Sequence, residues 1–254
     1  MIKLKIENLN YSINNKKIIE NINLKIKEKS FVGLIGPNGC GKSTLLKNIY
    51  KVLTPSNGKI YIEEKNIKNL PSKEFARIVS VVAQNDIIDF DFSIKDIVLM
   101  GRYSHKKLFE SNKKEDEKIV DEALEIVGLK GYEERSFFSL SGGEKQRVFI
   151  ARAIVQQSEF IILDEPTNHL DIKYQIQIMN ILKSLNKTTF SAIHDMNLAA
   201  YYCNYLIIMK DGKIYNMGTP EEVLTEKMFK EVFEVNAKIN ESEYTKKLNI
   251  HYIP

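Results

Sequence analysis

The strongest chemical signal in the chain is Gly36-Pro-Asn-Gly-Cys-Gly-Lys-Ser-Thr44. Its G-x-x-x-x-G-K-[ST] spacing is that of a loop that cradles phosphates. Gly36, Gly39 and Gly41 lack a β-carbon, so the backbone can wrap an anion and turn successive N–H groups toward it. A helix starting near Lys42 would add the positive end of its dipole. Lys42 supplies a mobile charge for the β- and γ-phosphates, and Ser43 offers a hydroxyl to magnesium. Pro37, Asn38, Cys40 and Thr44 complete the loop. The residues imply a site for a nucleoside triphosphate.

Three further positions carry polar groups at the ends of apolar runs. Phe160-Ile-Ile-Leu163 runs into Asp164-Glu165, Thr188 to Ile193 runs into His194, and Ile78 to Ala83 runs into Gln84. In an open α/β sheet, the C-terminal ends of strands face the ligand crevice. Asp164 is then placed to hold magnesium through water, and Glu165 to polarise an attacking water. His194 is placed to sense phosphate. The Gln84 amide could reach either magnesium or water. A last element, Leu140-Ser-Gly-Gly-Glu-Lys-Gln-Arg147, precedes a helix over 148–155. Ser141, Gly142 and Gly143 make it a second glycine-bearing helix start and a second anion site.

The elements that must position these groups follow from pattern. Phe31–Ile35 reads as a buried strand feeding the loop, and Leu45–Ile49 as the helix leaving it. Residues 2–7 and Ile22–Ile26 alternate apolar and charged, which predicts an antiparallel pair with one buried face. A turn at 55–59 leads to a short strand, Ile60–Ile62, and a brief helix follows Pro71. Ser93 with Asp96 predicts a capped helix through Leu99. Residues 113–127 read as an amphipathic helix, with Ile119, Ala123, Ile126 and Val127 on one side and Gly128 as its stop. No strand pattern occurs from 85 to 158, which predicts a helical insert. A helix over 172–185 follows, with Ile172, Ile176, Met179 and Leu182 spaced for packing. Asp211-Gly212 between Tyr205–Met209 and Lys213–Tyr215 predicts a hairpin. Thr219-Pro220-Glu221-Glu222 opens another helix, and residues 236–254 carry no motif.

Composition narrows the class. The 254 residues are 43% hydrophobic and 28% charged, with a net charge of +4. The lysines are scattered among glutamates, so the pattern of a nucleic-acid binder is missing. The mild positive bias suits the cytoplasmic face of a membrane. No apolar run approaches the ~18 residues that cross a bilayer, and Met1–Ile6 alternates like a strand and lacks a signal-peptide core. Cys40 and Cys203 form no disulfide framework, which fits a reducing compartment.

GPNGCGKST at 36–44, LSGGEKQR at 140–147, FIILDEPTNHLD at 160–171 and SAIHD at 191–195 together resemble the motif set of ABC-type ATPases. The likeness runs from about residue 2 to 225. It implies an α/β fold: a P-loop NTPase core with a mainly parallel sheet, an N-terminal antiparallel β subdomain and a helical insert. On this reading residues 1–84 and 159–225 are core, 85–158 the helical subdomain and 226–254 a C-terminal tail. The resemblance implies a homodimer in which Ser141, Gly142, Gly143 and Glu144 of one subunit close over ATP and Mg2+ on the other. Asp171 would lie at the dimer seam, and Gln84 would link the site to a partner. Phe92–His105 and His194–Ala200 resemble importer ATPases for iron chelates, haem and cobalamin. That implies two permease subunits at the cytoplasmic face of the membrane, with a substrate-binding protein acting indirectly and no nucleic acid. The rival is a soluble ABC ATPase acting on nucleic acid or ribosomes. One departure stands out. The family sets an aromatic against adenine, and spacing puts Ile13 there, with Tyr11 two residues earlier read either as its substitute or as ordinary strand packing. Finally, residues 85–105 leave Gln84 with Ile87, Ile88, Phe90 and Phe92 set among Asp86, Asp89 and Asp91. They are expected to dock a short permease helix.

Overall fold

The computed structural model describes residues 1–84, 88–107 and 114–254, which fall into two units, residues 1–70 with 187–254 and residues 71–186. The first unit opens with two long antiparallel strands, β1 (Ile2–Ile13) and β2 (Lys16–Lys27). Then come β3 (Phe31–Ile35), α1 (Lys42–Ile49), β4 (Asn57–Ile62) and β5 (Lys65–Asn66). β1, β2, β4 and β5 form an antiparallel sheet in the order β2-β1-β4-β5. Leu4, Ile6, Leu9, Ile22, Leu24 and Ile26 are its buried face. Alternation along β1 is interrupted at Asn8, whose φ is 49°, and Asn21 on β2 has φ 51°. Asparagine tolerates this left-handed backbone. The Asn23 side-chain oxygen accepts the Asn8 N–H at 2.8 Å. The strand therefore continues to Ile13, past the point where its period-2 pattern ends.

The second unit contains α2 (Ser72–Ile78), β6 (Val79–Val82), α3 (Ile94–Leu99), α4 (Lys114–Ile126), α5 (Gly142–Val155), β7 (Phe160–Asp164) and α6 (Ile172–Ser184). β6 and β7 pair in parallel from Val79–Phe160 to Val82–Leu163. Ile78 belongs to the end of α2, so the strand starts one residue later than its pattern predicts. Ser93 caps α3 through the Asp96 N–H at 3.1 Å, as expected. Two helix faces differ from their periodicity. On α4 the buried side is Val120, Ala123 and Leu124, with Val127 just beyond, while Ile126 is exposed and Ile119 half-buried. On α6 Ile178, Met179, Ile181 and Leu182 are buried, but Ile172 and Ile176 face solvent. Burial takes only the second half of α6, so its first turns are an exposed apolar strip.

The chain then returns to the first unit with β8 (Thr188–Ala192), α7 (Met196–Tyr202), β9 (Tyr205–Lys210) and β10 (Lys213–Gly218). β3 lies between β8 and β9, parallel to both, and β10 adds antiparallel to β9. Every residue of β3 and β8 is buried. A central parallel strand covered on both faces reads as a continuous apolar run, as β3 does. Asp211 and Gly212 turn the β9–β10 hairpin with φ of 48° and 76°. That is the backbone the Asp-Gly dipeptide predicts. Thr219 and Glu222 form the expected capping box of α8 (Pro220–Val223). Residues 226–254 are more ordered than a tail. α9 (Glu226–Met228) and one π-helical turn lead to the antiparallel hairpin of β11 (Asn236–Glu241) and β12 (Leu248–Ile253).

Candidate functional site

The phosphate loop leaves β3 at Gly36 and enters α1 at Lys42. A β-carbon at position 36 would collide with the Met209 carbonyl oxygen and the Cys40 sulfur, so only glycine fits. The loop is also braced from behind, because the Gly212 N–H donates to the Cys40 carbonyl at 3.0 Å. Lys42 is buried, and its Nζ donates to the Gly36 and Pro37 carbonyls at 2.7 and 3.1 Å. Those bonds hold the cation in the mouth of the loop, and Ser43 and Thr44 follow on the first turn of α1. Cys40 is buried, and burial pushes its thiol above the ordinary range.

β8 ends beside β3, and the Ile193 N–H donates to the Leu34 carbonyl at 3.1 Å. His194 follows. With Gly36, Pro37 and Asn38 it lines a cavity of about 530 Å³ whose other walls include Phe229, Phe233, Val235 and residues 252–254. His194 and the phosphate loop thus share one cavity. Tyr11 pairs with Ile19, which packs against Gly41, whereas Ile13 sits at the hairpin tip, 49% exposed and paired with Lys16. Tyr11 is half-buried.

In the second unit, Asp164 ends β7 and is 2% exposed. Glu165 follows with φ 57°. That is a strained backbone for a non-glycine residue, of the kind found at functional sites. Its Oε2 accepts the Gln84 side-chain amide and the Asn168 amide, the latter at 3.0 Å. Sequence offers Gln84 either magnesium or water, and in the structure its amide sits on the Glu165 carboxylate. Asn168 is not among the sequence candidates. Its signal is its place three residues after Glu165, where a short turn folds its side chain back.

Ser141 caps α5 in a full capping box with Glu144. The Ser141 hydroxyl and N–H both donate to the Glu144 carboxylate, at 2.7 and 2.9 Å. The Ser141 hydroxyl oxygen in turn accepts the Glu144 N–H at 3.4 Å, so two backbone donors of the helix start are satisfied reciprocally. The hydroxyl bond is the first cause that holds the Glu144 carboxyl below its usual range. Ser141 and Gly142 are exposed at this helix start. Gly143 is buried against Tyr174, where a β-carbon would stand 2.9 Å from the ring. Asp171 begins α6 through its carbonyl, which accepts the Tyr174 and Gln175 N–H groups, and its exposed side chain makes no capping bond.

Ser43 in the first unit, and Gln84 and Asp164 in the second, each offer an oxygen of the hard kind that magnesium takes alongside substrate phosphates. Among the described residues, no group of three or more His, Cys, Asp or Glu side chains could cage a metal by itself. The chemistry of each of these oxygens suits Mg2+ carried with a nucleotide. No helix among the described residues is long and apolar enough to cross a membrane.

Residues 19–168 match the family model described as ABC transporter. The ferric enterobactin transport ATP-binding protein FepC of Escherichia coli K12 is 35% identical over 241 residues, covering 93% of this chain and 89% of its own. A transporter assigned to the metal-chelate type, solved in an inward-facing conformation, superposes with a TM-score of 0.86 at 28% identity, covering 100% of this chain and 98% of its own. A dimeric ATP-binding cassette bound to ADP and phosphate gives a TM-score of 0.74 at 30% identity, covering 85% and 98%. Phosphate loop, capped LSGGE helix and the three strand-end positions occur here in one chain of that fold. The chain belongs to the ABC transporter family, as an ATP-binding, ATP-hydrolysing subunit.

Proposed function

We propose that this chain powers a membrane importer for a metal chelate, of the ferric siderophore, haem or cobalamin class. It works as a homodimer beneath two permease subunits at the cytoplasmic face, with a substrate-binding protein acting indirectly. The cargo class is supported by the enterobactin relative and by the fit to a metal-chelate transporter. No observation favours a role on nucleic acid or ribosomes.

Lys42 and the loop N–H groups hold the β- and γ-phosphates of ATP. Glu165, fixed by two amides, orients and polarises the water that attacks the γ-phosphorus, giving ADP and phosphate. His194 contacts the γ-phosphate from the wall of the loop cavity. Ser43, Gln84 and Asp164 would hold magnesium, which would supply positive charge to offset that of the phosphates. Ser141, Gly142, Gly143 and Glu144 of one copy serve the triphosphate held by the other. The exposed Asp171 carboxylate lies at the seam.

The observation that carries the transport reading is the bond from Gln84 to Glu165. Gln84 stands at the head of the segment expected to meet a permease, so strain on that segment reaches the hydrolytic carboxylate through one side chain. Asp86 and Ile87 lie outside the described residues. Phe90 is 73% exposed and meets the half-buried Phe92 edge-on, with ring centroids 6.3 Å apart. Further along, Met100, Tyr103 and Ser104 line a groove with Ser72, Lys73 and Phe75 of α2. A short permease helix is the proposed occupant of this surface. Its apolar face meets Phe90 and Phe92, and its basic residues meet Asp89 and Asp91.

Replacing both Phe90 and Phe92 with Ser tests this. Transport and permease-stimulated ATPase activity are expected to disappear, with basal hydrolysis and thermal unfolding nearly unchanged. Normal transport by the double variant would sink the docking assignment. Loss of the fold would make the rings core and place the surface elsewhere.

A further inference from the structure

Asn197 lies on the first turn of α7, three residues after His194. Its side-chain amide takes both backbone groups of Ile250. The Ile250 N–H donates to Asn197 Oδ1 at 2.8 Å, and Asn197 Nδ2 donates to the Ile250 carbonyl at 3.3 Å. Ile250 is buried in the middle of β12, where it pairs with Ile239 of β11. One side chain thus does for β12 what the edge of a neighbouring strand would do.

The two elements also pack against each other. Burial pushes the Tyr252 phenol above its usual range, and the Asp195 carboxylate adds to that shift. Asp195 is the residue after His194, and its Oδ1 caps α7 by accepting the Leu198 N–H at 2.9 Å. The Tyr252 ring also meets the fully buried Phe229 edge-on, at 6.0 Å between centroids. The C-terminal hairpin is therefore pinned both to α7 and to the apolar core.

His194 sits between two anchors. Upstream, Ile193 is bonded to Leu34 of β3. Downstream, its backbone runs straight into α7, which has seven residues. So short a helix has too little cooperativity to hold its own direction and takes it from what it packs against. Here the main partner is β12, with β3 as a lesser one.

We propose that Asn197 is a positioning residue for hydrolysis. Through its paired bonds to Ile250 it fixes the first turn of α7, and with it the direction that His194 takes toward the phosphate loop. The hairpin at 236–253 is then part of the ATPase machinery. This rests on the reading that His194 acts on the γ-phosphate. Displacements of about 1 Å in a reacting constellation can cost ~100-fold in rate, so a loosened helix start is felt in turnover before it is felt in ATP binding.

The test is steady-state hydrolysis by the full chain with ATP and Mg2+, using Asn197→Leu, which keeps the volume and loses both bonds. A fall in kcat of about 5- to 30-fold is expected, with KM for ATP within about twofold, because Lys42 and the loop are untouched. Asn197→Asp keeps the acceptor for the Ile250 N–H and is expected to fall between Leu and wild type. In a His194→Ala background, Asn197→Leu is expected to add nothing, since residues that act as one unit are not additive. A wild-type kcat for Asn197→Leu, or its full effect persisting without His194, overturns the proposal. If Asn197→Leu does not fold, Asn197→Asp carries the same cycle, and a wild-type rate there overturns it equally. A His194→Ala variant that hydrolyses normally instead refutes the γ-phosphate role of His194. That outcome is distinct from a slow His194→Ala beside a normal Asn197→Leu, which defeats the positioning role alone.

Discussion

Gln84 and Asn168 place their side-chain amides on the same oxygen of Glu165, so a carboxylate at the end of β7 has its plane fixed from two directions. One amide comes from the end of a neighbouring parallel strand and the other from the turn that Glu165 itself opens. Such a carboxylate has little freedom to lose when a water is bound to it.

Glu165→Gln keeps the volume and removes the base. Turnover is expected to fall ~100-fold or more, with ATP binding retained. Loss of the attacking step is also expected to trap an ATP-bound dimer, read by light scattering. Near-normal hydrolysis would remove Glu165 from its role.

Gly143→Ala sets a methyl group against the Tyr174 ring at a distance real β-carbons do not show. A cost of about 1–3 kcal/mol is expected from such overpacking, measured as a lower unfolding midpoint. Tyr174→Ala in the same chain removes the obstructing ring. If that second change restores nothing, the clash is not the reason glycine stands there.

The capping box gives a pH signature. Glu144 has its carboxyl held down in the folded chain, by the Ser141 hydroxyl first and the Ser141 N–H next. Its stabilisation is present above the unfolded value of 4.5 and is lost as pH falls through the lower folded value. Glu144→Gln is therefore expected to lower the unfolding midpoint at pH 7 by a few degrees. The gap to wild type should close as pH falls below the unfolded value of 4.5 and through the lower folded one. A gap that stays constant down to about pH 3 would mean that the carboxylate charge adds nothing to the cap.

For the base of the nucleotide, Ile13→Tyr is expected to tighten ATP binding by about tenfold, since stacking on an aromatic is worth ~1–3 kcal/mol. Wild type should accept GTP well. Tenfold weaker ATP binding by Tyr11→Ala, with no gain from Ile13→Tyr, would assign the stacking to Tyr11. Equilibrium titration with a fluorescent nucleotide separates the two.

The nucleotide motifs were legible because their chemistry demands rare residues at fixed spacing, and the α/β class followed from the apolar runs that feed them. What stayed hidden has physical causes. The burial of α6 is decided by what lies beside it, so Ile172 and Ile176, correctly spaced for a core, are left in solvent. The full length of β1 was masked where Asn8 interrupts the alternation. The C-terminal hairpin does alternate, through Ala237 and Ile239 and through Leu248, Ile250 and Tyr252, but no glycine, proline or Asn-Gly pair marks its turn. There Lys246 takes the left-handed backbone that such residues usually supply. Gln84 was placed at the right strand end, yet its partner could not be read from spacing, because the bond to Glu165 joins strands far apart in the chain.

The brace behind the phosphate loop has a genetic corollary. Gly212 does not line the loop cavity, yet its N–H holds the Cys40 carbonyl, and a side chain there would strike the Ile18 carbonyl oxygen at 2.5 Å. In a library of random variants selected for uptake, position 212 should tolerate as few residues as Gly36. A surface hairpin turn would then be inherited as strictly as the loop it supports.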